Sequence, residues 1–215
     1  MSSQTSPTES LAKQLFSMTW PMLFGVLSMM SFQLVDSAFI GQLGILPLAA
    51  QGFTLPIQMI VIGLQVGLGI ATTAIIARAL GAGNERYGKQ LGGLVLMIGS
   101  VGMVCFCLLI WCLRHPILML LSAPESVFPI IDAYWPYWLF SVWVGALTYF
   151  YYSICRSNGN TFLPGIMMVV TSVLNLVLDP IFIFTLDLGL DGAAIATILS
   201  FVIGLLIVAS QVTRK

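Results

Sequence analysis

Residues 15–40, LFSMTWPMLFGVLSMMSFQLVDSAFI, form one long apolar segment interrupted near its end by a single carboxylate, Asp36. A second segment, FLPGIMMVVTSVLNLVLDPIFIF at residues 162–184, carries Asp179 in the same manner. Each exceeds the roughly 20 apolar residues that a helix needs to cross a bilayer. An ionised carboxylate in hydrocarbon is costly, so such a group faces a bundle interior or a watery cavity and marks a proton, ion or substrate path. The two aspartates therefore point to a transport protein rather than a membrane anchor.

The rest of the chain fits that reading. Of its 215 residues 59% are hydrophobic and only 7% charged, against about 25% charged in soluble domains, which excludes a soluble fold. Six spans follow, at residues 15–40, 53–80, 91–113, 130–155, 162–184 and 190–212. Turn-forming sequence separates them: GQLGILP, GAGNERYGK, RHP to APE, RSNGN and DLGLDG. The fold class is thus all-α and integral to the membrane, with a polar tail at residues 1–14 and no break long enough for a soluble domain. The opening MSSQTSPTES lacks the order of a cleaved signal, and the first apolar run is too long for a signal core.

Charge sets the expected orientation. With the N-terminus inside, the inner segments carry Lys13, Arg78, Arg86, Lys89, Arg156, Arg214 and Lys215, and the outer ones only Arg114. Such a bias predicts both termini in the cytoplasm and a plasma (inner) membrane location. Trp135 and Trp138 at the outer end of the fourth span, and Tyr149, Tyr151 and Tyr152 at its inner end, read as aromatic belts. Pro21, Pro56, Pro136 and Pro180 fall within or near spans, where each removes a backbone donor. Pro21 is the candidate hinge, because it shares a span with Asp36.

A polar layer emerges from helical rise. Asp36 lies about 7 Å below the outer end of its span, and Asp179 and Thr197 about 10 Å below theirs, at roughly 1.5 Å per residue. Asn175 and Asp179 are four residues apart and share a helix face, as do Gln33 and Asp36, three apart. Asp36, Asn175, Asp179 and Thr197 are expected in one pocket. A carboxylate removed from water beside a second carboxylate holds a proton more readily than one in solvent, as a proton-coupled carrier requires. Polar groups that only tie helices together are the structural alternative. Asp132 reads as a solvated residue at the outer mouth, and His115 as a loop residue.

Nothing else signals chemistry. Cys105, Cys107, Cys112 and Cys155 lack metal-ligand or redox spacing and read as small packing residues. The glycines of GLQVGLG lie within a span and suit close helix packing. Histidine pairs and basic–aromatic patches are absent from the sequence, so neither a resident metal cofactor nor nucleic acid is expected. An intramembrane aspartyl protease characteristically places an aspartate in a Gly-x-Gly-Asp setting, whereas Asp179 sits in VLDPIF. An enzyme is not expected.

Taken in order, WPMLFGVLSMMSFQLVDSAFIGQLG, ARALGAGNERYGKQ, RSNGNTFLPG, NLVLDPIFIF and LGLDGAAIAT run the length of the chain. This succession resembles the N-terminal half of a transporter of the multidrug and toxic compound extrusion (MATE) family, in its DinF-like branch. The resemblance implies a twelve-helix fold of two six-helix lobes with the drug path between them. It implies that Asp36, Asn175, Asp179 and Thr197 belong to a proton-coupling cluster, that Pro21 is where the first helix bends, and that Tyr134 lines the cavity; Gln33, on the helix face of Asp36, is expected in the same cavity by its spacing. This sequence supplies one lobe, so a second lobe, in the same or a companion chain, is an expected partner beside membrane lipid and drug-like substrates. Sodium coupling, a related lipid flippase and a non-transporting assembly subunit are the rival readings.

Overall fold

The computed structural model describes residues 7–213. The start of the 1–14 tail and two of the inner basic residues, Arg214 and Lys215, lie outside the described residues. Among the described residues seven α-helices follow one another: α1 (Pro7–Gln42), α2 (Ile45–Gly81), α3 (Glu85–Cys112), the short α4 (Arg114–Leu120), α5 (Phe128–Ser157), α6 (Phe162–Pro180) and α7 (Gly189–Thr213). A 3-10 turn at Glu125–Val127 leads into α5, and a π-helical turn at Ile181–Thr185 extends α6. All but α4 contribute one of six helices long and apolar enough to cross a membrane. The six spans stand, and their helices run beyond the apolar runs at several ends.

Those differences have local causes. GQLGILP is not a loop: only Leu43 and Gly44 separate α1 from α2. Gly44 takes φ 122°, a conformation favouring glycine, and Pro47 falls in the first turn of α2, where a missing N–H is no loss. The same tolerance places Pro116 in the first turn of α4, so the RHP segment is helical rather than a bare turn. At the N-terminus α1 begins at Pro7, so the second half of the polar tail is helix. The internal prolines Pro21, Pro56 and Pro136 interrupt none of their helices.

The bundle is built around α5. Some 67% of its most apolar window is buried, against 11% for the span of α1. It packs on α7, α2 and α3, while α1 packs chiefly on α6. This central position overturns the aromatic-belt reading for Trp135, Trp138 and Tyr152, while Tyr149 and Tyr151 are half-buried. Trp135 and Trp138 are buried, with ring centroids 5.8 Å apart, and Tyr152 is buried as well. These three side chains face neighbouring helices, whereas Tyr137 and Phe140 of the same helix are exposed.

Small residues set the closest approaches, as is usual between membrane helices. A Cβ at Gly165 of α6 would come within 2.5 Å of the Pro21 carbonyl oxygen, and one at Gly25 within 2.9 Å of Met168 Sδ. Within GLQVGLG only Gly69 plays this part, against Tyr149 and Ser153; Gly63 and Gly67 face open space. The cysteines divide likewise. Cys155 is buried, Cys107 is half-buried with its Sγ 3.5 Å from the Leu139 carbonyl, and Cys105 and Cys112 are exposed, so the packing role does not extend to all four.

Candidate functional site

The polar groups gather where α1, α2, α5, α6 and α7 converge, within an apolar frame of Ile40, Ile131, Trp135, Ile183 and Leu190. Asp179 stands on the last turn of α6 and is fully buried. Pro180 follows it, withdrawing a backbone donor, and the helix widens into the π-turn, closed by Leu186 N–H donating to the Ile181 carbonyl at 2.9 Å. Such π-turns inside helices are frequent at functional sites. The start of α7 fits tightly against this turn, since a Cβ at Gly192 would meet the Phe182 carbonyl oxygen at 2.6 Å.

Three of the expected residues are linked in a chain. Asn175, one turn before Asp179, donates from Nδ2 to Asp179 Oδ1 at 2.9 Å. The Thr197 hydroxyl of α7 lies 3.4 Å from Asn175 Oδ1 and 3.0 Å from the Ala193 carbonyl, and shares its proton between them. The i, i+4 spacing on α6 and a single residue of α7 build this chain.

Asp36 joins the site but not the chain. Its Oδ2 accepts a hydrogen bond from Gln51 Nε2 of α2 at 3.1 Å. Tyr134 is buried on α5. Gln33, half-buried one turn below Asp36, is not hydrogen-bonded to it. Pro21 lies four turns away at the tight crossing with Gly165, outside the polar cluster.

Two carboxylate oxygens, Asp36 Oδ1 and Asp179 Oδ2, are buried with no hydrogen-bond partner in the protein, as is Trp135 Nε1. Buried polar atoms are rarely left so, because desolvation without a partner is expensive. Each oxygen can be satisfied by a proton of its own or by a cation. Among the described residues no three His, Cys, Asp or Glu side chains converge as metal ligands.

Gln51 is the site residue that sequence reasoning missed. It lies between the GQLGILP turn and residue 53, where the second apolar run begins. A lone glutamine in LPLAAQGF was the available signal once α2 is seen to start at Ile45. A second group was also misjudged. Asp132 is not simply solvated: it accepts from Arg114 Nε at 2.6 Å and lies 3.1 Å from His115 Nε2. Arg114 also donates to the Trp111 carbonyl at 2.9 Å and lies 4.0 Å above the Trp111 ring. His115 is therefore a helical residue of α4 bound to α5, not a loop residue.

Long apolar helices closed around a buried run of carboxylate, amide and hydroxyl groups define a polytopic membrane protein with a polar site in its interior. The chain belongs to the MatE family, whose profile matches residues 21–181. Among solved structures, the Vibrio cholerae MATE transporter VcmN in its bent form is 70% identical, with a TM-score of 0.96 over 98% of this chain and 48% of that one. The FAD transporter of Shewanella oneidensis is 31% identical over 91% of this chain and 44% of its own length. The multidrug export protein MepA of Staphylococcus saprophyticus is 30% identical over 96% of this chain and 46% of its own. The chain thus spans about half the length of the curated relatives it matches.

Proposed function

We propose that this chain is the N-lobe of a proton-coupled multidrug antiporter of the DinF-like branch, exporting cationic or amphiphilic compounds across the plasma (inner) membrane with both termini in the cytoplasm. The observation that carries the reading is Asp179. It is wholly buried, held on one oxygen by Asn175 and left unpartnered on the other. Asp36 and Asp179 take up protons from the outside, Asn175 and Thr197 orient the Asp179 carboxyl, and Tyr134 and Gln33 line the cavity. Bending of α1 at Pro21 couples loading to release of the drug. No resident cofactor takes part, and the proton is cargo.

A second six-helix lobe completes the path. Leu34 on α1 is 75% exposed, and α1 is apolar over most of its surface, which suits burial against lipid on one side and a partner lobe on the other. One observation favours sodium as the alternative coupling ion: the two unpartnered carboxylate oxygens, with the Asn175 and Thr197 oxygens, are hard donors of the kind such a cation takes.

The test is proton release on adding a lipophilic cationic drug to detergent-solubilised protein. The chain alone is compared with the chain plus a second lobe, each with and without Asp36→Asn, with FAD as a second cargo. Release that needs both Asp36 and the second lobe supports the reading. Drug binding without release, rescued by sodium, moves the assignment to sodium coupling. Release on FAD but not on drug moves the substrate class to that of the Shewanella relative.

A further inference from the structure

Arg156 stands in the last turn of α5, at the far end of that helix from Tyr134 and the polar cluster, and is half-buried. An arginine near the end of a membrane helix ordinarily snorkels toward water. Arg156 does the reverse. Its guanidinium lies back along the helix, with Cζ 4.8 Å from the centre of the Tyr149 ring and Nη2 donating to Ser153 Oγ at 2.7 Å. Ser153 and Tyr149 stand about 6 and 12 Å before the helix end at Ser157, at roughly 1.5 Å per residue. Both are fixed in place. The Ser153 hydroxyl donates its own proton to the Tyr149 carbonyl at 3.0 Å, and Thr73 Oγ1 of α2 lies 3.2 Å from the Ser153 carbonyl. A Cβ at Gly69 of α2 would strike both the Tyr149 ring and Ser153 Oγ, so α2 presses on the two residues that hold the guanidinium.

Capping the helix does not need this arginine. The Ile154 carbonyl accepts from Ser157 Oγ at 2.7 Å and from Asn158 Nδ2 at 2.8 Å. The Cys155 and Arg156 carbonyls accept from the backbone N–H groups of Asn160 and Gly159, at 3.0 and 2.9 Å. Among the described residues no carboxylate pairs with Arg156, whereas Arg114 has Asp132. Of the several donors that a guanidinium carries, one is taken up, by Ser153. We propose that Arg156 is the recognition residue of a phosphate-binding site at the end of the lobe where α2 and α5 finish, taking the phosphate of a lipid headgroup or of a soluble phosphate ester. The planar fork of the guanidinium matches two phosphate oxygens. Tyr149 and Ser153 hold it still before the ligand arrives, so little side-chain freedom is lost on binding. A fixed cation without a counter-ion attracts an anion more strongly in half-buried surroundings than in water. Basic groups between membrane helices near the headgroup region hold lipid phosphates in this way. The site is separate from Asp36 and Asp179 and does not depend on how those carboxylates are coupled.

The experiment has two arms, each on the full chain. In maltoside detergent freed of phospholipid, inorganic pyrophosphate is titrated and its binding read by calorimetry. In nanodiscs of phosphatidylglycerol mixed with digalactosyldiacylglycerol, which has no phosphate, the lipid retained on release is counted by native mass spectrometry. Pyrophosphate binding assigns the site to a soluble phosphate ester; selective retention of phosphatidylglycerol without it assigns the site to a headgroup. In whichever arm binds, Arg156→Gln weakens binding about tenfold. Arg156→Lys, which keeps the charge but not the fork, weakens it less. Arg86→Gln removes the same charge from an exposed place at the same end of the lobe and leaves binding unchanged. Where Arg156→Gln does not fold, Arg156→Lys and Ser153→Ala carry the test, each binding more weakly than the unaltered chain. Failure of the unaltered chain to bind either probe overturns the proposal. Equal weakening by Arg86→Gln and the Arg156 variants does the same, because basic surface charge alone then accounts for the binding.

Discussion

Asp179 and Asn175 are four residues apart on α6 and meet at 2.9 Å, so at the residue scale their fates are joined. Replacing Asn175 with Leu removes the donor and leaves the buried carboxylate with no partner at all. That loss amounts to about 1–3 kcal/mol, read as a lower unfolding temperature in detergent. Thr197→Val removes a 3.4 Å contact whose proton is shared with Ala193. Its effect on stability is at most about 1 kcal/mol, so the two variants rank the links of the chain. Asp36→Asn keeps the shape and an acceptor oxygen but cannot take up a proton. Coupled export falls to background while insertion and monodispersity persist; intact export would remove Asp36 from the coupling role.

At the scale of the element, the α1–α6 crossing is the sensitive place. Gly165→Ala pushes a methyl group onto the Pro21 carbonyl, and overpacking of this kind costs about 1–3 kcal/mol. Thermal unfolding of the purified variant reports it, and an unchanged midpoint would mean that the helices part easily there. Pro21→Ala restores a backbone donor without adding bulk. Turnover drops more than expression if the proline is a hinge, whereas equal losses assign it to folding. The π-turn after Asp179 belongs to this scale too, since Pro180 and the tight seat of Gly192 hold the carboxylate at the point where α6 changes pitch.

For the whole molecule, the decisive property is exposure. α5 is enclosed, whereas α1, α2 and α3 present apolar side chains over most of their length. In a membrane, lipid accepts such a surface at little cost, and a second lobe accepts it with specificity. The lobe alone should insert and hold its polar cluster, yet fail to accumulate or expel drug; co-reconstitution with a second lobe restores export. Vectorial transport by the lone lobe would refute the need for a partner.

Much of this was legible in the residue order, for a physical reason. Bilayer thickness and the transfer cost of a carboxylate act on local composition, so six spans and the exceptional status of Asp36 and Asp179 follow from the chain alone, whereas helix ends such as Ile45 of α2 do not. The Asn175–Asp179 pair follows as well, because helical periodicity places it. What only the tertiary structure decided depends on which helix lies beside which. Trp135 and Trp138 became core because α5 is central, Asp132 found Arg114 and His115 because α4 folds back upon α5, and Asp36 found Gln51 because a proline-tolerant first turn lets α2 begin at Ile45. Contacts between helices carry no period in the sequence, and packing alone chooses them.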